Sequence, residues 1–398
     1  MLLDNGITFA EKHRPFTNTL TFIINLKGGR LAETSETAGI GDLFADVLLR
    51  SSPLFEKSEA NGFNIFAHSY LHSFSLGFST PTYMAKDVLK DFEEFILSCK
   101  LLQDKFLLEQ QLCLSNIEAA KDNPEYQAQL RYFRIKYGDN PFGWSPLGTT
   151  ESVKNLTLQH LEDYCALNFK AGNASAVIVG NYDHDFKDAV LTMLSKLPKG
   201  TPTIHDYTIE HHTENIQIEE SYKRIVQSHL VIGYDAPDIF SKEYLSSKIL
   251  SSLLGNGMSS RYFERIRKEL GYAYYIASTY SSIKDNGYFM IMAGIDYKNL
   301  SHTIEEINSI NANLKTTLTQ EELEKAKNSV LGHALMGKQT NFAIAKEMVT
   351  CMHRGFEPDF NKKALEKTEF ITKQNIIDTA EAIFTTPCVT YILKPENQ

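Results

Sequence analysis

Two stretches more than two hundred residues apart carry the same succession of signals, and this constrains the fold more than any single motif does. ESVKNLTLQHLEDYCALNF (151–169) has a helical apolar period and leads into the short apolar strand SAVIVG (175–180). TEFITKQNIIDTAEAIF (368–384) leads in the same way into CVTYIL (388–393). Leu156 matches Ile371, Leu161 matches Ile376 and Phe169 matches Phe384, each at an offset of 215 by subtraction, and Val177 matches Val389 at 212. A period this long excludes a solenoid, whose units span only tens of residues, and predicts two copies of one α+β domain.

Between the copies, LPKGTPTIHDYTIEHHTENIQIEE (197–220) is polar, contains proline and lacks helical periodicity, as a linker should. The expected division is therefore an N-terminal domain over 1–205 and a homologous C-terminal domain over 206–398. With 398 residues the chain is too long for one ordinary core, so two halves also suit its size. In the first copy Leu20, Phe22, Ile24 and Leu26 alternate as a strand that ends at Gly28-Gly29. NGFNIFAHSYLHSFSLGFST (61–80) reads as a second strand. A helical stretch near 84–98 and a long charged helix from about 103 to 121 follow, with a break at Asn123-Pro124.

AGIGDLFADVLL (38–49) is the start of an amphipathic helix. Leu43, Phe44, Val47 and Leu48 occupy its core face, while Asp42 and Asp46, four residues apart, stack on the other. The charge balance narrows what this acidic face could serve. A net charge of −9 with no separate Lys/Arg cluster argues against a nucleic-acid partner. The longest apolar runs, such as LTFIINL (20–26), have the length of a strand and not of a membrane span. The five cysteines, Cys99, Cys113, Cys165, Cys351 and Cys388, are scattered and form no CxxC pair, so buried free thiols are expected. Met1-Leu-Leu-Asp-Asn-Gly lacks the basic and apolar regions of a signal peptide. A cytoplasmic location is expected, with a periplasmic one after leader removal as the alternative.

Three segments resemble the pitrilysin/insulinase family of zinc metallopeptidases, the inverted zincins. They are GGRLAETSETAGIGDLFADVLLRSS (28–52), YGDNPFGWSPLGTTESV (137–153) and LLGNGMSSRYFERIRKELGYAYYIASTYSSIKDNGYFMIMAGID (253–296). The resemblance implies an α+β fold of two duplicated α/β-sandwich halves forming a clamshell around a peptide. It also implies an HxxEH motif, in which two histidines bind zinc and the glutamate acts as general base. Here those five positions read Asp42-Leu43-Phe44-Ala45-Asp46. The family's third ligand, a glutamate, aligns with Asn116, beside Ser115 and Glu118. Catalytic zinc needs about three protein ligands and a proton acceptor for its water. Two aspartates, an amide and the Ala45 methyl supply neither, so a solvated acidic face without metal is expected. A hard ion such as magnesium is the weaker alternative, since a dedicated site recruits more oxygens.

The second half keeps more of the family pattern. Ser259-Ser260 precede a helix with Phe263, Ile266 and Leu270 inward and Gly271 after its end. The resemblance implies an arginine and a tyrosine that hold the scissile carbonyl, and the RxxxGxAY spacing assigns them to Arg267 and Tyr274. Arg265 with Tyr272 has the same spacing and stays open as the alternative pair. Both side chains donate to an oxygen that gains charge in the transition state.

The remaining candidates carry less. His68 and His72, read on one strand, lie too far apart for joint metal binding. His211-His212 fall in the linker, GNGMSS (255–260) lacks a P-loop ending, and Cys165 near His160 lies on a packing helix. The expected function is that of a non-catalytic subunit in a heterodimer with a homologous HxxEH-containing peptidase. That partner supplies the zinc and this chain supplies Arg267, Tyr274 and peptide-binding surface. The alternatives are a stand-alone peptide-binding scaffold, or an enzyme with a metal site rebuilt at Asp42 and Asp46.

Overall fold

The computed structural model describes residues 1–396 except 173, 206, 224, 284 and 285. The first half runs β1 (Thr8–His13), β2 (Thr19–Lys27), α1 (Ile40–Ser51), α2 (Pro53–Asn61), β3 (Asn64–Ser69) and β4 (Ser73–Pro81). It continues through α3 (Ala85–Ser98), α4 (Gln103–Lys121), α5 (Pro124–Tyr137), α6 (Thr150–Asn155), α7 (Leu158–Asn168), β5 (Ser175–Gly180) and α8 (His184–Ser195). The second half opens with β6 (Ile216–Tyr222), β7 (Ser228–Ala236), α9 (Tyr244–Gly255), a π-helical segment (Phe263–Glu269), β8 (Ala273–Ile283) and β9 (Asn286–Ile295). It closes with α10 (Leu300–Ala312), α11 (Leu314–Thr317), α12 (Gln320–Met336), α13 (Asn341–His353), α14 (Phe360–Glu366), α15 (Lys373–Phe384) and β10 (Cys388–Pro395).

The duplication is written in the sheets. One five-stranded sheet has the order β1-β5-β2-β4-β3, the other β6-β10-β7-β9-β8. Renumbering each half from its own first strand makes the two orders identical. Pairing sense agrees strand by strand: β1 is parallel to β5 as β6 is to β10, and every other neighbour pair is antiparallel. Two α+β halves of one topology are therefore present.

The compact units do not follow the chain midpoint alone. Unit 1 comprises Met1–Ala119, Asp139–Thr208 and Gly337–Asn361, and unit 2 comprises Ala120–Gly138, Ile209–Met336 and Lys362–Gln398. Each unit thus takes one helix from the other half of the sequence, α13 into unit 1 and α5 into unit 2. The reason lies in burial. A mixed sheet whose central strands are apolar on both faces needs cover on both faces. In unit 1, Leu20, Phe22 and Ile24 pack with Phe44, Phe92, Leu161 and Phe186 of the unit's own helices. The opposite face, Ile23, Val177 and Val179, packs against Ile344, Ala345 and Val349 of α13. Asn341 pins that helix, donating to the Thr19 carbonyl at 2.8 Å and accepting from Arg14 at 2.6 Å.

Unit 2 repeats the arrangement. Leu230, Ile232, Phe289 and Ile291 pack with Ile249, Leu250, Ile376 and Ile383 on one face. Val231, Met290, Val389 and Tyr391 pack with Ala128 and Tyr132 of α5 on the other. Tyr132 lies so close over β7 that a Cβ at Gly233 would sit 1.8 Å from its hydroxyl oxygen, which explains a glycine in mid-strand. Lys136 pairs with Asp235, and Arg131 with Glu220, at the rim of the same face.

Several local expectations change. The 61–80 stretch is not one strand but a hairpin: Tyr70 N–H donates to Ser73 O at 2.8 Å, and the chain reverses between β3 and β4. His68 and His72 therefore do not share a strand face. The helix read over 151–169 breaks at Leu156, because Thr157 caps a new helix by accepting from His160 N–H. Asn123-Pro124 marks a helix start, Asn123 accepting from Tyr126 N–H with Pro124 in the first turn. Ser259-Ser260 leads into π-helical turns, in which Leu270 N–H reaches back to Arg265 O at 3.1 Å. Cys99 and Cys165 form a disulfide, against the expectation of free thiols, while Cys113, Cys351 and Cys388 are free. Among the described residues no helix is long and apolar enough to cross a membrane.

Candidate functional site

Helix α1 starts at Gly39, whose φ of 90° suits glycine, and carries Asp42 to Asp46, the five positions that the sequence resemblance aligns with the metal motif. Leu43, Phe44, Ala45, Val47 and Leu48 are buried, so the core face is as the periodicity places it. Asp42 is half-buried and Asp46 reaches solvent. The surroundings hold two further acids that the sequence reading did not single out. Glu33 is fully buried and caps the helix start, accepting from Gly39 N–H at 2.9 Å and Gly41 N–H at 3.1 Å. Glu109 on α4 is buried too, paired to Arg50 at 3.5 Å.

Three of these carboxyls, those of Glu33, Asp42 and Asp46, resist ionisation. Burial pushes Glu33 up to about 8, a shift that its two backbone donors and Arg30 oppose without cancelling. Asp42 is pushed up to about 7, chiefly by desolvation, with Arg30 pulling down and Asp46 pushing up. Asp46 is pushed up to about 6 by desolvation and then by Glu109, with Arg50 opposing. The face of α4 turned to α1 carries Glu109 and Cys113. Burial followed by the nearby Asp42 and Asp46 pushes the Cys113 thiol up to about 11, so it stays a neutral thiol at neutral pH.

The catalytic zinc of an HxxEH site does not fit here. Asn116 lies on an exposed part of α4, Ala45 is a buried methyl, and a guanidinium already stands near Asp42 as counter-charge. Among the described residues no three His, Cys, Asp or Glu side chains are gathered so as to hold a metal ion. No hydrolytic step can be derived from these groups: they offer no imidazole, and no carboxylate stands where the general base would.

The second-half pair lies in unit 2. Arg267, on the π-helical segment, is exposed and stacks over Phe263 with its guanidinium carbon 4.9 Å from the ring centre. Among the described residues no carboxylate pairs with it in the structure. Arg265, two residues earlier, is fully engaged: it donates to Glu306 at 3.0 and 3.2 Å and to Glu269 at 3.0 Å. Tyr274 is 62% exposed at the start of β8, an edge strand of its sheet. The register with β9 slips there, Ala273 facing Ile295 and Tyr275 facing Gly294, so Tyr274 is the extra residue of a β-bulge. Bulges at sheet edges re-aim a side chain, and this one turns Tyr274 out to solvent. Tyr272 instead packs against the core and lies 6.2 Å from the His302 ring.

The linker histidine His211 is held on Asp235 at 2.7 Å, which also binds Lys136. That places it in a charge network. His68 lies 6.0 Å from Phe66, stacked, and its imidazole is pushed down by burial and then by Lys346.

Residues 155–330 match the family model described as peptidase M16 inactive domain. An uncharacterized zinc protease of Rickettsia felis is 25% identical over 99% of this chain and 97% of its own length. A protein of Helicobacter pylori named non-peptidase homolog YmxG is 24% identical over 89% of this chain and 84% of its own. The crystal structure of a peptidase M16 inactive domain from Pseudomonas fluorescens superimposes with a TM-score of 0.90 at 18% identity, over 99% of this chain and 97% of that one. Topology and these likenesses agree: residues 155–330 are similar to a peptidase M16 inactive domain, and the chain has the fold of M16-like structures.

Proposed function

We propose that this chain is a non-catalytic M16 member that works in a heterodimer with a homologous HxxEH-containing subunit. In that complex the partner holds zinc and the general base, and this chain contributes Arg267, Tyr274 and peptide-binding surface. The observation that carries the reading is the contrast between the two halves. The α1 positions aligned with the motif hold two acids raised above the usual carboxylate range and a methyl group, whereas Arg267 is left uncommitted and Tyr274 is turned outward by a bulge. Arg265 is tied to two glutamates, which favours Arg267 with Tyr274 over Arg265 with Tyr272. A guanidinium and a phenol suit a substrate carbonyl that gains negative charge, and neither needs a metal on its own chain. The name of the Helicobacter pylori relative, a non-peptidase homolog, accords with this division of labour.

The test uses the purified chain alone and mixed with an HxxEH-containing homologue from the same genome. Alone, it should contain no zinc and cleave no peptide. The mixture should cleave, and Arg267→Ala or Tyr274→Phe in this chain should cut kcat by about 100- to 1,000-fold, the range for loss of one oxyanion donor. Arg265→Ala should leave kcat unchanged. A mixture indifferent to Arg267→Ala and Tyr274→Phe would end the shared-site reading and leave peptide binding without a peptidase role.

A further inference from the structure

The disulfide occupies a particular place. Cys99 is the C-cap of α3 and the one non-glycine residue with positive φ among the described residues, at 44°. Glycine ordinarily fills such a helix end because a Cβ is disfavoured there. A cysteine there carries its sulfur to Cys165. Its partner Cys165 sits in α7, within the apolar core of unit 1, 66 residues further along the chain.

Both ends of the bridge lead to α1. Tyr164, next to Cys165, is buried with its ring 5.3 Å from that of Phe44, the residue between Asp42 and Asp46 that anchors the helix to the core. Three residues beyond Cys99, Leu102 N–H donates to the hydroxyl of Ser51, the last residue of α1, at 3.0 Å. The sulfurs therefore join the two segments that grip α1 near its middle and at its end. The other three thiols cannot substitute: Cys113 and Cys351 are buried elsewhere, and Cys388 lies in unit 2.

We propose that Cys99 and Cys165 form a clamp on α1 that an oxidant closes and a dithiol opens. Closure is thiol–disulfide exchange with a small-molecule or protein disulfide. One cysteine, as thiolate, attacks the oxidant's S–S bond and releases one oxidant thiolate, leaving a mixed disulfide. The second cysteine, as thiolate, attacks the protein-side sulfur and releases the other. The two cysteine protons end on the departing thiolates or in solvent, the protein loses two electrons and the oxidant gains them. A chain carrying the closed clamp has met such an oxidant, which is the ordinary state of secreted and periplasmic proteins.

The test incubates the full chain in excess glutathione disulfide or in dithiothreitol, alkylates it with iodoacetamide under denaturation, and maps the peptides by mass. After glutathione disulfide the Cys99 and Cys165 peptides should be joined and two mass units lighter than the sum of their thiol forms, with Cys113, Cys351 and Cys388 alkylated. Dithiothreitol should lower the melting temperature by roughly 10 °C, the effect of opening a loop of this length in a unit of this size. It should also speed amide exchange in α1. The Cys99→Ser/Cys165→Ser variant should melt where the reduced protein does and ignore dithiothreitol, whereas Cys113→Ser should keep the response. Five alkylated cysteines after glutathione disulfide, or a double variant that responds to dithiothreitol like the wild type, would overturn the proposal.

Discussion

Gly233→Ala tests whether α5 covers the sheet of unit 2 as described. The added Cβ would lie 1.8, 2.4 and 2.7 Å from Oη, Cζ and Cε2 of Tyr132, all well inside contact distance. The ring cannot swing aside, because Tyr132 is fully buried among Val231, Met290, Val389 and Tyr391. Either α5 lifts by more than an ångström or the ring leaves its site. Overpacking of a core costs about 1–3 kcal/mol, and losing a buried aromatic ring costs about 3–5 kcal/mol, so the second figure bounds the first. An intermediate value of about 3 kcal/mol is expected for Gly233→Ala in urea unfolding followed by circular dichroism. Tyr132→Ala should cost as much by itself. Once the ring is gone the three atoms nearest the methyl go with it, so the double variant should be about 2 kcal/mol more stable than the sum of the single changes predicts. Tyr132→Phe gives the control: its buried hydroxyl makes no hydrogen bond, so removing it should be neutral or slightly stabilising. Additive single and double variants, or a Gly233→Ala cost below about 1 kcal/mol, would refute the packing of α5 on β7.

Asn341→Ala probes the reciprocal helix: the loss of its bonds to Thr19 and Arg14 at a buried position should cost about 2–3 kcal/mol in the same urea assay. Glu33 and Asp42 both have native values raised above their unfolded ones, so the folded chain binds more protons than the unfolded chain between about pH 4 and pH 8. Their stabilising contribution is complete below the unfolded values and is lost as pH rises through the native ones. Melting temperatures should therefore fall between pH 6 and pH 8.5, by an amount to which Glu33 contributes about 2 kcal/mol, and Glu33→Gln should flatten that slope. Zinc added to the isolated chain at neutral pH should not raise its melting temperature, since a ligand stabilises only a state that binds it.

Much of the scaffold was legible because local patterns and tertiary packing agree. The run LTFIINL becomes β2, and the charged stretch at 103–121 becomes α4 with those bounds. The run also shows where periodicity stops informing. Ile23 and Ile24 point to opposite faces, and both are buried, so alternation cannot say that a second helix lies above the strand. Nor can an apolar helix stripe name the sheet it will cover, so the exchange of α5 and α13 is invisible in a single sequence. The hairpin at Tyr70–His72 carries no Gly, Asn or Pro to announce it. At the site, the core-facing residues of α1, Leu43, Phe44, Val47 and Leu48, were readable from helical period. Glu33 was not, because it caps from six residues before Gly39, outside the usual capping spacing. The cysteine pairing depends on a left-handed residue at the end of α3, which no spacing reveals.

The traded helices have a consequence for how such a protein can be inherited. A gene split at the midpoint would yield two polypeptides, each with a sheet bare on one side: Ile23, Val177 and Val179 in one, Val231, Met290 and Tyr391 in the other. Such fragments would be sticky and short-lived until they met, so fission carries a penalty that a simple tandem array of self-sufficient copies would escape.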